Sequence, residues 1–290
     1  MNINGTVIGH VNPHSIKKFE LIKKYVETWA QKLLQNTYCS GLVFIDCMSN
    51  CGEYFDDTGT QVYGTPVRVA NYLRNVAWQY QEKQIDLYFS DFCEAKTEHL
   101  KTLMPKETKN FHWHITTENG NDLARRLGQM IQKNKHYLLV YDPFIASIDW
   151  GAIMPFINSW SEVILNHMVS DTIRAVKMVK TENTRNKYQQ TYLMDLENLL
   201  LYGSDKDAFE QRIERIIKGL RLDRGKKYYI AAFPFFNTRN AVVYNLIHCT
   251  SNINGFRLYK ESAWKTFGGK SSTKNTHGFD LHPKSRTTML

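Results

Sequence analysis

The chain has 290 residues, 42% hydrophobic and 22% charged, which fits a soluble globular protein with room for one large domain or two small ones. No apolar run approaches the ~18–20 residues that cross a bilayer. No basic-then-apolar leader opens the sequence, and the five scattered cysteines form no disulfide framework, so a cytoplasmic setting is expected. The net charge of +9 points to an anionic partner, with nucleic acid or a nucleotide foremost, set against the plainer reading of a solvated basic surface.

Residues 13–36 read as a helix, because Phe19, Ile22, Val26, Trp29 and Leu33 recur at helical spacing with lysines between them. Residues 41–46 are a short apolar run closed by Asp46, followed by the small-residue turn Cys47-Met-Ser-Asn-Cys-Gly52. Tyr63-Gly-Thr-Pro-Val-Arg-Val-Ala70 then opens an amphipathic helix in which Pro66 suits an early position. The pattern continues with a strand at 85–89 ending in Ser90-Asp91, a helix at 93–104, a strand at 111–115 and a helix at 121–132. A strand at 137–141 ends in Asp142-Pro-Phe144, a helix covers 149–158 and a fifth strand covers 162–166.

Strands alternating with helices predict a mostly parallel sheet covered on both faces. The strong strands at 228–233 and 241–249 are separated only by 234–240, too little for a helical crossover, so they should pair antiparallel. The expected fold class is α/β, a class I methyltransferase-like Rossmann sheet with a C-terminal antiparallel hairpin. A charged helical insertion is expected at about 169–225, within one domain covering 1–267. Residues 268–290, rich in Gly, Ser, Thr and Lys, read as a flexible tail.

Four landmarks resemble the three-Cys-motif partner proteins (TcmP). Lys-Lys-Phe-Glu-Leu-Ile-Lys-Lys-Tyr-Val-Glu-Thr-Trp at 17–29 is similar to that family's opening helix. Ile45-Asp46 with the turn to Gly52 stands where the family has Asp-x-Phe-Ala-Gly-Pro-Gly. Gly64-Thr-Pro-Val-Arg-Val-Ala70 stands where it has Gly-Ser-Pro and an apolar helix, and Asp142-Pro-Phe144 where it has Asp-Pro-Phe-Gly. The resemblance covers roughly 15–265. It implies a methyltransferase-like fold and partnership with a three-Cys-motif protein, itself similar to an iron–sulfur, radical-type enzyme.

A fold of that kind would turn the 46–52 loop towards the methionine part of S-adenosyl-L-methionine, which makes Asp46, Ser49, Asn50 and Gly52 cofactor candidates. Asn50 occupies the place of the family's first glycine, and Asn tolerates a left-handed backbone better than most residues. A plain strand-to-helix turn is the alternative. Asp91 is a candidate for the ribose hydroxyls, or a cap for residues 92–95. Asn119, Asn121 and Asp122 are placed either to meet an adenine amine or to form a turn and cap.

Asp142 and Phe144 are the catalytic candidates. A related Asp/Asn-Pro-Pro-Tyr/Phe loop in amino-methyltransferases holds the target amine while the aromatic stacks on the base. Asp142 would orient or deprotonate a nucleophile; the alternative is a loop with Phe144 in the core. His112 and His114, alternating on a strand, and the C-x3-C pair Cys47 and Cys51 are weak metal or cluster signals. Phe233-Pro-Phe-Phe236 and Arg239, placed between the last two strands, are candidates for base stacking or a partner surface, with packing within the hairpin as the alternative. Two functions follow. One is an S-adenosyl-L-methionine-dependent transferase acting on or with nucleic acid or a nucleotide. The other is a non-catalytic subunit of the same fold that regulates the three-Cys-motif partner.

Overall fold

The computed structural model describes residues 2–3, 6–143, 145, 147–178, 182–223, 225–237, 241–267 and 287–289. In chain order the elements are β1 (Asn2–Ile3), β2 (Thr6–Val7), β3 (Gly9–His10), α1 (Pro13–Leu34), β4 (Gly41–Asp46), β5 (Glu53–Phe55), β6 (Gln61–Tyr63), α2 (Thr65–Gln79), β7 (Gln84–Asp91), α3 (Glu94–Leu103), β8 (Phe111–Thr117) and α4 (Gly120–Gln129). They continue with β9 (Lys135–Tyr141), α5 (Trp150–Ile157), β10 (Ser161–His167), α6 (Val169–Met178), α7 (Glu182–Tyr192), α8 (Leu196–Leu200), α9 (Lys206–Gly219), β11 (Tyr229–Phe236), β12 (Val242–Thr250), α10 (Ile253–Thr266) and β13 (Thr287–Met289).

The main sheet runs β8-β7-β4-β9-β10-β12-β11-β13. Counting its first seven strands in chain order gives 3-2-1-4-5-7-6, with only the seventh, β12, antiparallel to its neighbours. This is the class I methyltransferase arrangement of the Rossmann-like sheet. Strand β4 is all buried, as a central parallel strand must be when helices cover both faces. One core holds Tyr25, Trp29, Leu73 and Tyr259 of α1, α2 and α10. The opposite core holds Leu123, Phe156, Leu199 and Phe209 of α4, α5, α8 and α9. The insertion expected at 169–225 is helical, and its helices α7–α9 enlarge this second core.

Three features depart from the sequence reading. Strand β11 extends to Phe236, with a register shift between Phe235 and Phe236, so the aromatic run expected in a turn is on the strand. Pro234 fits there because β13 pairs only with Tyr229, Ile230 and Ala231, and further along no described residue needs the missing N–H. The second feature is the hairpin β5–β6, which joins β3 in a small separate sheet between the β4 loop and α2. Thr287–Met289, inside the segment read as a tail, adds the eighth strand.

The chain leaves β4 for β7 on one side and reaches β9 on the other. A crevice opens at such a switch point, beyond the carboxyl ends of the strands. That geometry brings the ends of β4, β7 and β9 together.

Candidate functional site

Asp46 closes β4 and is only 4% exposed. Its Oδ1 accepts the Met48 N–H at 3.2 Å, and its other oxygen has no hydrogen bond to a described residue. Burial, and then the negative charge of Asp142, push its pKa up to about 7. The loop that follows is tied to β7. The Ser49 N–H and Oγ both donate to the Ser90 carbonyl, at 2.9 and 3.0 Å, and Ser90 Oγ donates to the Cys47 carbonyl at 2.8 Å. Asn50 has φ 56°, in the left-handed region, and its Oδ1 accepts the Cys51 N–H at 2.8 Å. Gly120, at the start of α4, lies so close to this loop that a Cβ there would stand 2.1 Å from the Cys47 carbonyl oxygen.

Asp91 ends β7. Its Oδ1 accepts the Cys93 N–H at 2.9 Å, and its Oδ2 lies 3.9 Å from the Lys96 ammonium. The next residue, Phe92, is 82% exposed, with Lys96 Nζ 5.8 Å from its ring centroid. Asp142 follows β9. Its Oδ2 takes a hydrogen bond from Lys18 and its Oδ1 one from Asn166 Nδ2 at 2.5 Å. Lys18 is 8% exposed, and its ammonium lies 5.5 Å from the Tyr244 ring and 5.9 Å from the Phe19 ring. Phe19 stacks on Tyr54 at 5.4 Å. Burial drives the Tyr54 phenol pKa up, and the charges of Cys51, Asp46, Asp142 and Asp91 add to the effect. Hairpin β5–β6 therefore brings Tyr54 near all three carboxyl groups, and the start of α1 brings Lys18 onto Asp142 and near Asp46.

The structure thus assembles Asp46, Asp91 and Asp142, with Ser49, Asn50 and Gly52 in the adjoining loop. Asp122 lies apart: it is exposed on α4 and paired with Arg125 at 2.8 Å. Asn119 caps α4 through the Asn121 N–H, and Asn121 Oδ1 accepts the Tyr141 hydroxyl at 2.6 Å. Phe144 and Arg239 lie outside the described residues. Of the two readings of the aromatic run, the packed one holds for Phe233 and Phe235, which are buried against Phe267 and, for Phe235, Tyr244. Their strand faces the core, so they offer no stacking surface.

His114 stacks on Tyr88 at the β8 edge, and Cys47 and Cys51 are buried thiols. Among the described residues no group of three or more His, Cys, Asp or Glu side chains is placed to hold a metal, and no helix is long and apolar enough to cross a membrane.

The sequence reading missed Lys18 and Asn166. Lys18 lies four residues before Ile22, on the apolar stripe of α1, and that placement was the available signal. Asn166 offered none beyond being a polar residue inside an apolar strand.

No protein-family model matches the chain, and no curated protein matches it in sequence. Among solved structures, a Legionella pneumophila protein of family model DUF519 is similar with a TM-score of 0.47 and 11% identity, over 94% of this chain and 95% of that one. Human methyltransferase-like protein 13 in complex with SAH gives 0.40 and 10%, over 91% of this chain and 96% of that one. Loganic acid methyltransferase with SAH gives 0.35 and 9%, over 88% and 83%. The fold class rests on the strand order and not on these distant likenesses.

Proposed function

We propose that the chain binds S-adenosyl-L-methionine across the carboxyl ends of β4 and β7 and works as a methyltransferase. The observation that carries this reading is the convergence of Asp46, Asp91 and Asp142 at the sheet's switch point, with one buried Asp46 oxygen that has no hydrogen-bond partner among the described residues. The residues fit the cofactor. A buried carboxyl oxygen with no partner among the described residues suits a cationic donor, and the Asp91 Oδ2, 3.9 Å from the Lys96 ammonium, can accept ribose hydroxyls. Bound there, the cofactor supplies an electrophilic methyl group.

The chain's own residues then divide the work. Asp46 holds positive charge, Asp91 fixes the sugar and the 47–52 loop keeps the first strand end close to the ligand. Asp142 orients the acceptor. With Lys18 and Asn166 on its two oxygens it serves as a fixed anchor more readily than as a proton acceptor. The +9 surface is proposed to meet an anionic partner such as nucleic acid or a nucleotide. Association with a three-Cys-motif protein is the finer proposal and rests on the landmark residues alone.

A second reading, a non-catalytic binding subunit of the same fold, is favoured by Asn50. Its side chain takes the Cys51 N–H, a donor that a glycine at that position would leave open to a ligand. Titration calorimetry with S-adenosyl-L-methionine tests the main reading. Saturable binding is expected, weakened by about 1–3 kcal/mol in Asp91→Ala, the cost of leaving buried polar groups unpaired. An absence of heat at millimolar ligand would reject it. Binding without transfer to any acceptor would favour the second reading.

A further inference from the structure

Hairpin β5–β6 leaves the 47–52 loop, turns, and runs directly into α2, pairing with β3 and not with the main sheet. Side chains alternate across a strand, so neighbours face opposite ways. Glu53 faces α3: its Oε2 lies 2.7 Å from His99 Nε2, and its Oε1 accepts Gln61 Nε2 at 2.6 Å. These contacts fix the base of the hairpin. Tyr54, the next residue, faces α1, where its ring stacks on Phe19 at 5.4 Å. Gly64 backs the ring: a Cβ there would stand 2.9 Å from Tyr54 Cε2, while the Gly64 N–H donates to the Gly52 carbonyl at 2.9 Å. Only glycine at 64 lets the ring close this tightly on the 47–52 loop.

The ring is therefore clamped from two sides, and the hydroxyl is not. Tyr54 is half-buried, and its hydroxyl makes no hydrogen bond to a described residue although Asp46, Asp142 and Asp91 all lie near it. The second oxygen of Asp46 is in the same position. Asp142, by contrast, has both oxygens engaged, by Lys18 and Asn166. One phenol oxygen and one carboxyl oxygen beside the 47–52 loop thus await a partner. Burial and the neighbouring acids keep the phenol neutral, so it adds no charge to the cluster.

Resting on the reading above, we propose that Tyr54 is a specificity-determining residue for the amino-acid end of the cofactor: its hydroxyl oxygen and the open Asp46 oxygen together take the α-ammonium group, with the hairpin as the lid over it. The chemistry selects that group. Both oxygens call for hydrogen-bond donors; a sulfonium has none, whereas an ammonium has three N–H bonds to give. The grip is the same before and after methyl transfer, because S-adenosyl-L-methionine and S-adenosylhomocysteine both keep the ammonium. It discriminates instead against nucleosides that lack the amino-acid end.

Tyr54→Phe removes the hydroxyl and keeps the ring with its stack on Phe19. The test measures the affinity of the intact protein and of this variant for four ligands. They are S-adenosyl-L-methionine, S-adenosylhomocysteine, decarboxylated S-adenosyl-L-methionine, which keeps the amine alone, and 5′-methylthioadenosine, which has neither amine nor carboxylate. Tyr54→Phe should weaken the first three by about tenfold, the loss of one hydrogen bond to a charged group. It should leave methylthioadenosine binding and the melting temperature unchanged. Equal weakening of all four would make Tyr54 a packing residue of the hairpin, and no change in any would put the hydroxyl out of reach; either result overturns the proposal. A loss for the first two ligands but not for the decarboxylated one would assign the hydroxyl to the carboxylate and overturn it too. If Tyr54→Phe fails to fold, Asp46→Asn decides, since it should show the same selective loss. Failure of the unmodified protein to bind any of the four overturns both the proposal and the reading it rests on.

Discussion

Asp46 illustrates how one buried acid couples stability to a site. Its folded-state pKa is raised from 3.8 to about 7, so the folded protein holds this proton more tightly than the unfolded chain does. Its contribution is therefore favourable at low pH and is lost as pH rises from about 4 through 7, by up to ~4 kcal/mol. Asp46→Asn, which cannot ionise, should match the unmodified protein near pH 4 and be more stable at pH 8 in urea melts. A variant less stable than the unmodified protein at pH 8 would contradict the burial argument.

Glu162 shows the opposite sign. It is the second residue of β10 and fully buried, accepting from Tyr25 and lying 3.3 Å from His136 Nε2 and 2.8 Å from His248 Nε2. Burial alone would raise its pKa, yet the two histidines hold it at about 2. The stability it contributes is complete above pH 4.5 and is lost as pH falls through 2. Glu162→Gln should cost about 3–5 kcal/mol at pH 7, as breaking a buried charged network does. A loss of a few tenths of a kcal/mol in chemical denaturation would show the network to be incidental. The sequence did not disclose it, because Glu162 opens a strand where a charge reads as solvent-facing. Its partners on β9 and β12 become neighbours only through the register.

Among the elements, the long periodic ones were legible. The helix at α1, the central strands and the antiparallel β11–β12 pair follow directly from spacing and connection length. The short hairpin β5–β6 was not, since strands of three residues carry no measurable period. The aromatic run of β11 misled because Pro234 reads as a strand terminator, whereas the partly uncovered edge of β11 accepts it. Of the site, the carboxyl groups at strand ends were visible, while Lys18 was hidden among the exposed lysines of a basic helix.

The 47–52 loop is the element on which cofactor binding turns, and its conformation makes a separate prediction. Asn50 sits at φ 56°, where a side chain with a Cβ is strained and asparagine tolerates the strain through its local hydrogen bond. Asn50→Ala should cost about 1–2 kcal/mol, and Asn50→Gly should be close to neutral. Thermal melts in which alanine is as stable as glycine would mean that the turn has another conformation in solution.

At the scale of the molecule, the sheet order and the three carboxyl groups point to one edge of the protein as the working edge. The small hairpin sheet and the start of α1 cover that edge, whereas the Glu162 network secures α1 and α10 to the opposite ends of the strands. The central claim is that a cofactor sits between these parts. Hydrogen exchange with and without S-adenosyl-L-methionine tests it most directly, because it locates protection along the chain without requiring an acceptor. Slower exchange is predicted at residues 46–54 and 90–97 and in the first turns of α1. Unchanged exchange across those segments at saturating ligand, or protection confined to the helical insertion at α6–α9, would contradict it.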